Sequence, residues 1–360
     1  MDLFPMSHVP SEPVHPAPAQ QPQIIIQSSG SSLGWRILSG VACFGLFLCM
    51  VIIIGQAIAY SEYFNTRDGV SEKFHSGSKS ASNKIAIINV TGVIMSGEGY
   101  IRNQIDMAQE DDDVKAIVVR VDSPGGTVTG SDYILHHLNR VRTERDIPLV
   151  VSMGAAATSG GYYVAMAVGD QEDSIYAEPT TTTGSIGVII PHYDISGLMA
   201  RYDIEDDSIM SHPRKQMLSM TRDMPEEHRE ILQDYVNQAF TRFKEIVKEG
   251  RPEFRQNPEK LDELATGEIF TATTAVNTGL VDKIGFLEEA IKRAAELANI
   301  DAEKTRVVEY TQPVSLFGLA SANEQAMSWE KMIEMTTPKA YYLQSYFPPA
   351  LMGLRIDPRQ

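Results

Sequence analysis

The chain has 360 residues, which is enough for one large domain or two with additional terminal segments. Its 47 acidic residues outnumber its 31 basic residues and give a formal net charge of −16. This charge argues against nucleic acid as a partner, because nucleic-acid binding needs basic patches. The two cysteines, Cys43 and Cys49, lie in one apolar run, so the sequence offers neither a disulfide framework nor a cysteine-based zinc site.

The N-terminal part of the chain changes abruptly in composition. Residues 1–36 are rich in proline, glutamine and serine, and we expect a disordered tail. Residues 37–60 contain no charge and are long enough to cross a bilayer as a helix. A buried core helix and a cleaved signal peptide are the alternatives, and Ala57-Ile58-Ala59 resembles a cleavage site. The length of the apolar segment and the lack of a basic start favour an uncleaved transmembrane anchor.

The remainder of the chain predicts one α/β domain. Residues 61–83 are polar with mixed charges and are interpreted as a linker. From residue 84 to 310, strands such as 85–90, 114–121 and 149–152 alternate with helical segments, which indicates an α/β fold with parallel pairing. Residues 311–360 form a C-terminal tail with apolar residues that could dock on a partner or a membrane surface.

Small residues surround Ser159 in the stretch 154–161, between an apolar run and a helical segment. The pattern predicts a strand, a tight turn and a helix, with Ser159 at the start of the helix where backbone N–H groups are unpaired. Such neighbours leave room for a substrate backbone. A capping serine followed by close helix packing is the alternative.

A serine in this position needs a base before it becomes a nucleophile. The folded region offers five histidines: His136, His137, His192, His212 and His228. The first two lie mid-helix and the last begins a helix, so solvated surface is our interpretation for these three, whereas His192 remains possible. Lys215 is the only lysine between Lys115 and Lys244, and it could act if burial lowered its pKa. A solvated loop lysine is the alternative.

An oxyanion also needs fixed donors. Pro124-Gly125-Gly126 offers backbone N–H groups at a predicted helix start, without side chains in the way. A plain glycine turn before a helix is the alternative.

The motifs together resemble one family. Residues 122–126 (DSPGG) resemble the oxyanion turn of the ClpP/crotonase superfamily, and residues 157–163 (ATSGGYY) resemble the nucleophile motif of the SppA-type signal peptide peptidases, also called protease IV. Further motifs follow in the family's order, at residues 183–188, 267–272 and 279–285. The resemblance covers roughly residues 84–310 and implies a ClpP/crotonase-like fold.

The resemblance also implies a Ser-Lys dyad and no cofactor or metal. Ser159 matches the nucleophile, Lys215 the general base, Ser185 a hydroxyl that assists the lysine, and Gly126 an oxyanion donor. The sequence around the base departs from the family's usual Ser-Gly-x-x-Lys-Asp pattern, because residues 211–216 read SHPRKQ.

The expected function is that of a membrane-anchored serine endopeptidase that cleaves residual signal peptides and other apolar peptides. By the resemblance, it forms a homo-oligomeric ring with shared active sites and lies in the inner membrane, with its catalytic domain on the periplasmic side. Two other interpretations remain: a crotonase-like acyl-CoA enzyme that uses the oxyanion turn without a nucleophile, and a membrane assembly protein with a degenerate site.

Overall fold

The computed structural model describes residues 33–65, 69–312 and 341–343. The chain forms two units, residues 1–60 and residues 61–360. Helix α1 (Leu33–Asn65), most of which belongs to the first unit, begins earlier than the predicted residue 37. Its segment Gly34–Ala57 is, among the described residues, the helical stretch long and apolar enough to cross a bilayer. The side chains of that segment are not buried, which argues against the core-helix alternative.

The second unit is built from alternating strands and short helices. Its strands are β1 (Ser71–Gly77), β2 (Lys84–Thr91), β3 (Val114–Ser123), β4 (Gly125–Thr127), β5 (Leu149–Thr158), β6 (Ile175–Ala177), β7 (Thr182–Gly184), β8 (Ile269–Thr271), β9 (Lys283–Ile284), β10 (Arg306–Thr311) and β11 (Tyr341–Leu343). Its helices are α2 (Tyr100–Glu110), α3 (Val128–Arg145), α4 (Gly160–Ala165), α5 (Ser196–Arg201), α6 (Glu226–Gly250), α7 (Pro252–Gln256), α8 (Pro258–Leu264), α9 (Ala272–Thr278) and α10 (Leu287–Leu297).

Nine of the described strands form one mainly parallel sheet. The order across it is β1-β10-β2-β3-β5-β6-β9, and every neighbouring pair from β10 to β9 is parallel. β7 pairs in parallel with the last residues of β5, and β8 adds to β7 antiparallel. β4 and β11 form a separate antiparallel pair. The predicted α/β fold of repeated strand-helix units, preceded by an apolar N-terminal helix, is confirmed.

Apolar side chains of the central strands fill both faces of this sheet. In β3, Val119 packs into the larger core, whereas the adjacent Val118 packs into the smaller core with Ala290 and Ala294 of α10. Neighbouring residues of a strand point to opposite faces, so the continuous β-branched run of β3 is buried on both sides, as its sequence predicts. The central strands therefore hold their carboxyl ends rigidly, and the candidate site lies at those ends.

The prediction of a linker over residues 61–83 was wrong in part. Residues 61–65 continue α1, and residues 71–77 form β1, an edge strand antiparallel to β10. An edge strand is partly exposed, so it lacks the apolar alternation that marks an inner strand. A polar side chain of β1 forms ion pairs with other strands: Glu72 binds Lys84 at 2.8 Å and Arg306 at 3.2 Å.

Candidate active site

Ser159 lies at the point where the central strand β5 gives way to helix α4. β5 runs through the small residues 154–158, which the sequence had predicted as a turn, because Thr158 pairs with Gly184 of β7. The reversal is confined to Ser159, whose backbone has φ 52° and ψ −115°. Its N–H donates to the Gly184 carbonyl at 2.7 Å. A positive φ in a residue other than glycine costs about 1–3 kcal/mol, and such strain clusters at functional sites.

The hydroxyl of Ser159 has no structural role within the described chain. Its Oγ is buried and has no hydrogen-bond partner among the described residues, and it does not cap α4. The capping interpretation is therefore not supported. An unpaired buried hydroxyl costs about 1–3 kcal/mol. A native protein that keeps one at a strained turn is expected to use it in chemistry or binding.

The glycine turn predicted as the oxyanion donor lies directly beside Ser159. A Cβ atom added to Gly160 would lie 3.1 Å from the Gly126 nitrogen, and one added to Gly126 would lie 1.9 Å from the Ile94 carbonyl oxygen. Gly126 therefore requires glycine, and a side chain at position 160 would crowd the turn. Asp122 fixes the turn against β5, since its carboxylate accepts the Ala156 N–H at 3.1 Å.

Ser185 lies on the other side of Ser159. It follows Gly184, whose carbonyl accepts the Ser159 N–H, and its own N–H donates to the Glu268 carbonyl at 2.7 Å. The Ser185 side chain is 5% exposed, and its φ is 53°. It lines a cavity of about 360 Å³ that also contacts Val236 and Phe240 of α6.

The motif at residues 279–285 contacts helix α4, which follows Ser159. The Tyr162 hydroxyl donates to the Leu280 carbonyl at 2.8 Å, and burial raises the pKa of Tyr162 well above its usual range. Asp282 forms a 2.7 Å ion pair with Arg251 and accepts the N–H groups of Ser174 and Ile175. Sequence reasoning assigned no role to Arg251 or Asp282. Their only sequence signal was the position of Asp282 in the final motif.

Lys215, unlike Ser159 and Ser185, lies in an exposed segment. It lies in a 3-10 turn, Pro213–Gln216, within the irregular segment 189–224, which we call the arm. The Lys215 side chain is exposed, and in the described part of the chain its Nζ has no hydrogen bond or ion pair. Because Ser159 Oγ is also without a partner there, Lys215 and Ser159 form no hydrogen bond within the described part of the chain, whereas Ser159, Gly126 and Ser185 lie together.

Polar contacts order the arm internally. Hydrogen bonds from Ser208 and Thr221 hold the pKa of Asp206 well below its usual range, and Arg222 adds an ion pair at 3.2 Å. The His192 ring donates from Nε2 to the Ser219 carbonyl at 3.0 Å. His192 therefore forms this hydrogen bond within the arm.

The sequence interpretation of solvated surface is wrong for two of the other histidines. His136 is exposed as expected, but His137 and His228 are buried. His137 packs edge-on against Tyr133 and contacts Arg102 of α2. The interpretation failed because a position within a helix or at its start does not reveal which side chains neighbouring elements will cover.

Comparison with known proteins places these features in a family. The family model described as Peptidase family S49 matches residues 142–301. A protein of Enterococcus faecium described as a signal peptide peptidase SppA is 30% identical over 328 residues, which span 84% of this chain and 92% of that protein. The Synechocystis protease slr0021 is 36% identical, over 66% of this chain and 82% of its own length. Protease 4 of Salmonella typhi is 35% identical, over 60% of this chain and 35% of its own length.

The family-model match includes Ser159 and Ser185, and the match to the Enterococcus faecium protein spans most of the chain. The chain therefore belongs to the SppA-type signal peptide peptidases of peptidase family S49 and is a serine peptidase.

Proposed function

We propose that this peptidase cleaves peptides with a dyad of Ser159 and Lys215. Ser159 Oγ attacks the peptide carbonyl and neutral Lys215 takes its proton, while the Gly126 N–H stabilises the oxyanion. Lys215 then gives the proton to the leaving amine, and water hydrolyses the acyl-enzyme. The observation that carries the proposal is the buried, unpartnered Ser159 Oγ beside the Gly126 turn. A crotonase-like enzyme or a degenerate assembly protein would not need this hydroxyl.

The lysine acts, in this proposal, on the Ser159 of a neighbouring subunit. A lysine base must lose its proton near neutral pH, which requires desolvation. Lys215 is exposed in the single chain, so a subunit interface would supply the burial. Head-to-tail contacts that close into a ring repeat such an interface around the assembly.

Exposed apolar side chains mark the surfaces that this interface would use. The apolar side chains of α6 are buried at Phe243, Ile246 and Val247, but Ile231 and Tyr235 are exposed. The arm exposes further large apolar side chains: Ile189, Tyr193, Ile195, Leu198, Tyr202, Ile204, Ile209 and Met220. Exposed apolar surface of this extent is typical of interaction sites.

The cavity beside Ser185 offers a route for the neighbour's base. It is lined by Ser185 and by α6, next to the exposed part of the helix. A lysine side chain that entered there would lie beside Val236 and Phe240 and would meet the Ser185 hydroxyl, a hydrogen-bond acceptor for its amine. This arrangement supports the assignment of Ser185 as the residue that orients Lys215.

Mixing two inactive variants tests the shared site. Ser159→Ala and Lys215→Ala are combined under conditions that allow subunit exchange, and hydrolysis of casein is measured. In a random equal mixture, about one interface in four pairs an intact serine with an intact lysine, and activity should return to that extent. Each variant mixed with the double variant serves as the control, because neither control can form a complete pair. A mixture that stays inactive despite proven exchange contradicts the shared site.

The proposed substrates are residual signal peptides and other apolar peptides at the membrane. The apolar helix α1 supports membrane anchoring, and the relative from Enterococcus faecium is described as a signal peptide peptidase. We place the chain in the inner membrane with its catalytic unit on the periplasmic side. External protease should then digest the catalytic unit in intact spheroplasts, whereas protection until lysis would reverse the orientation.

A further inference from the structure

Strand β5 contains a bulge shortly before it reaches Ser159. Its parallel ladder with β3 shifts at one point, and the partners on either side of the shift are Val121 with Met153 and Ser123 with Ala157. Residues 154–156 of β5 therefore lie opposite a single residue of β3, Asp122. A bulge bends its strand and redirects the side chains that follow, and bulges are frequent beside active sites.

At this bulge, β5 exchanges one neighbouring strand for another. Before the bulge it pairs with β6, and after it with β7, whose last residue, Gly184, accepts the Ser159 N–H at 2.7 Å. β7 leads directly to Ser185, and β3 leads through residue 124 to β4, which contains Gly126. The bulge therefore sets the register of the nucleophile strand against both neighbours. A slip of one residue would displace Ser159 by about 3.3 Å, whereas an oxyanion donor must lie about 2.7–3.1 Å from the oxyanion.

Two side chains hold the bulge, one from each neighbouring element. From β3, the Asp122 carboxylate accepts the Ala156 N–H at 3.1 Å. The same carboxylate packs against Gly154, where an added Cβ atom would lie 3.0 Å from the Asp122 Cγ. From the residue before β7, the buried Thr181 hydroxyl donates to the Gly154 carbonyl at 2.7 Å. A bulge interrupts the ladder of its strand, and these side chains supply partners for one N–H and one carbonyl.

We propose that Asp122 and Thr181 are positioning residues, which fix the bulge and thereby the distance between the Ser159 hydroxyl and the Gly126 N–H. The inference rests on the proposed function, in which the hydroxyl attacks the peptide and the N–H stabilises the oxyanion. Neither side chain has to contact the substrate for this role. Because a misplacement of about 1 Å can lower a rate about 100-fold, the loss of either bond should lower turnover and leave substrate binding nearly unchanged.

Substitution of Asp122 tests this role with little risk to the fold, because the residue is exposed. Asp122→Ala removes the acceptor for the Ala156 N–H, whereas Asp122→Asn keeps a side-chain oxygen at the same place. With labelled casein as substrate, we expect Asp122→Ala to lower kcat about tenfold and to leave KM within about twofold of the parent. Asp122→Asn should return kcat to within about threefold of the parent. An unchanged kcat in Asp122→Ala, or a loss that Asp122→Asn does not restore, would overturn the inference.

The matched control removes a side-chain contact from the other end of the same strand. The Gln171 side chain binds the N–H and the carbonyl of Leu149, the first residue of β5, at 3.3 and 2.8 Å. Gln171→Ala should keep the kcat of the parent. Thr181→Val removes the second bond to the bulge and should lower kcat, and Thr181→Ser, which keeps the hydroxyl, should restore it. Equal losses of kcat in Gln171→Ala and Asp122→Ala would show a general weakening of β5 and overturn the inference.

Hydrogen exchange separates this inference from the proposed function, because it needs no catalysis. In the Ser159→Ala chain, we expect the Ala156 amide to exchange about tenfold faster when Asp122→Ala is added, and at an unchanged rate when Gln171→Ala is added. An Ala156 amide that exchanges equally fast with and without Asp122→Ala would reject the inference. If Ser159→Ala alone kept its turnover, the nucleophile assignment would fail, and the exchange rates would still decide whether Asp122 holds the bulge.

Discussion

The two halves of the candidate site are built in opposite ways. Ser159 and Ser185 are buried at the carboxyl ends of sheet strands, and the Gly126 turn is tied to the same strands by backbone contacts. Lys215 lies on the exposed arm, which polar contacts order without a core of its own. The geometry of the site and the protonation state of its base impose different demands on the structure. A nucleophile and an oxyanion donor need fixed positions, which the core supplies, whereas a lysine base needs desolvation, which a partner can supply.

The largest expected effect comes from removing the nucleophile on the buried side. Ser159→Ala should lower casein hydrolysis by about 10⁴-fold or more, as expected when a catalytic serine is lost. The substitution should not destabilise the fold, because the hydroxyl makes no hydrogen bond within the described chain. Ser159→Gly should lose activity equally and be more stable than Ser159→Ala by about 1 kcal/mol, since glycine relieves the strain at φ 52°.

Activity assays and urea unfolding of the detergent-solubilised chains measure both quantities. A folded Ser159→Ala chain with near-normal turnover would remove Ser159 from the mechanism. A glycine variant less stable than the alanine variant would show that the positive φ is not a source of strain.

Local motifs on the buried side could be predicted from the sequence, and features set by tertiary contacts could not. The position of Ser159 between a strand and a helix follows from neighbouring residues alone. By contrast, the paired strand β1 carries a polar sequence that only its partner β10 explains. The Arg251–Asp282 pair joins residues distant in sequence, and the lack of a hydrogen bond between Lys215 and Ser159 in the described residues is visible only in the fold.

The second expected effect concerns the arm and the identity of the base. With Lys215 as base, activity should rise from neutral to alkaline pH, because the lysine must be unprotonated. A histidine base would place the rising limb lower, near its reference pKa of about 6.5. Lys215→Ala should abolish activity at every pH, whereas His192→Ala should retain the alkaline profile, because the His192 ring binds the Ser219 carbonyl.

The pH dependence of casein hydrolysis by the parent and both variants measures this difference. The dyad would be wrong if His192→Ala were inactive while Lys215→Ala kept the profile of the parent.

The smallest expected effect is a difference in the free energy of unfolding between two variants. One variant removes an ion pair on the buried side, and the other removes an ion pair of the arm. Arg251 and Asp282 are largely buried, and their pair supports the loop before β6 and the motif that holds Tyr162. Arg251→Ala would leave the Asp282 carboxylate buried without its cation, which should lower the free energy of unfolding by about 3–5 kcal/mol. On the other side, Arg214 pairs with Glu227, whose side chain is 61% exposed.

The hydrogen bond from Arg214 lowers the pKa of Glu227, but exposed pairs contribute little to stability. Glu227→Gln should therefore leave the urea midpoint unchanged within error, and it serves as the control for Arg251→Ala. If both variants lost stability equally, the arm would be part of the cooperative core. Lys215 would then be fixed by its own chain, and a base supplied by a neighbouring subunit would lose its main structural argument.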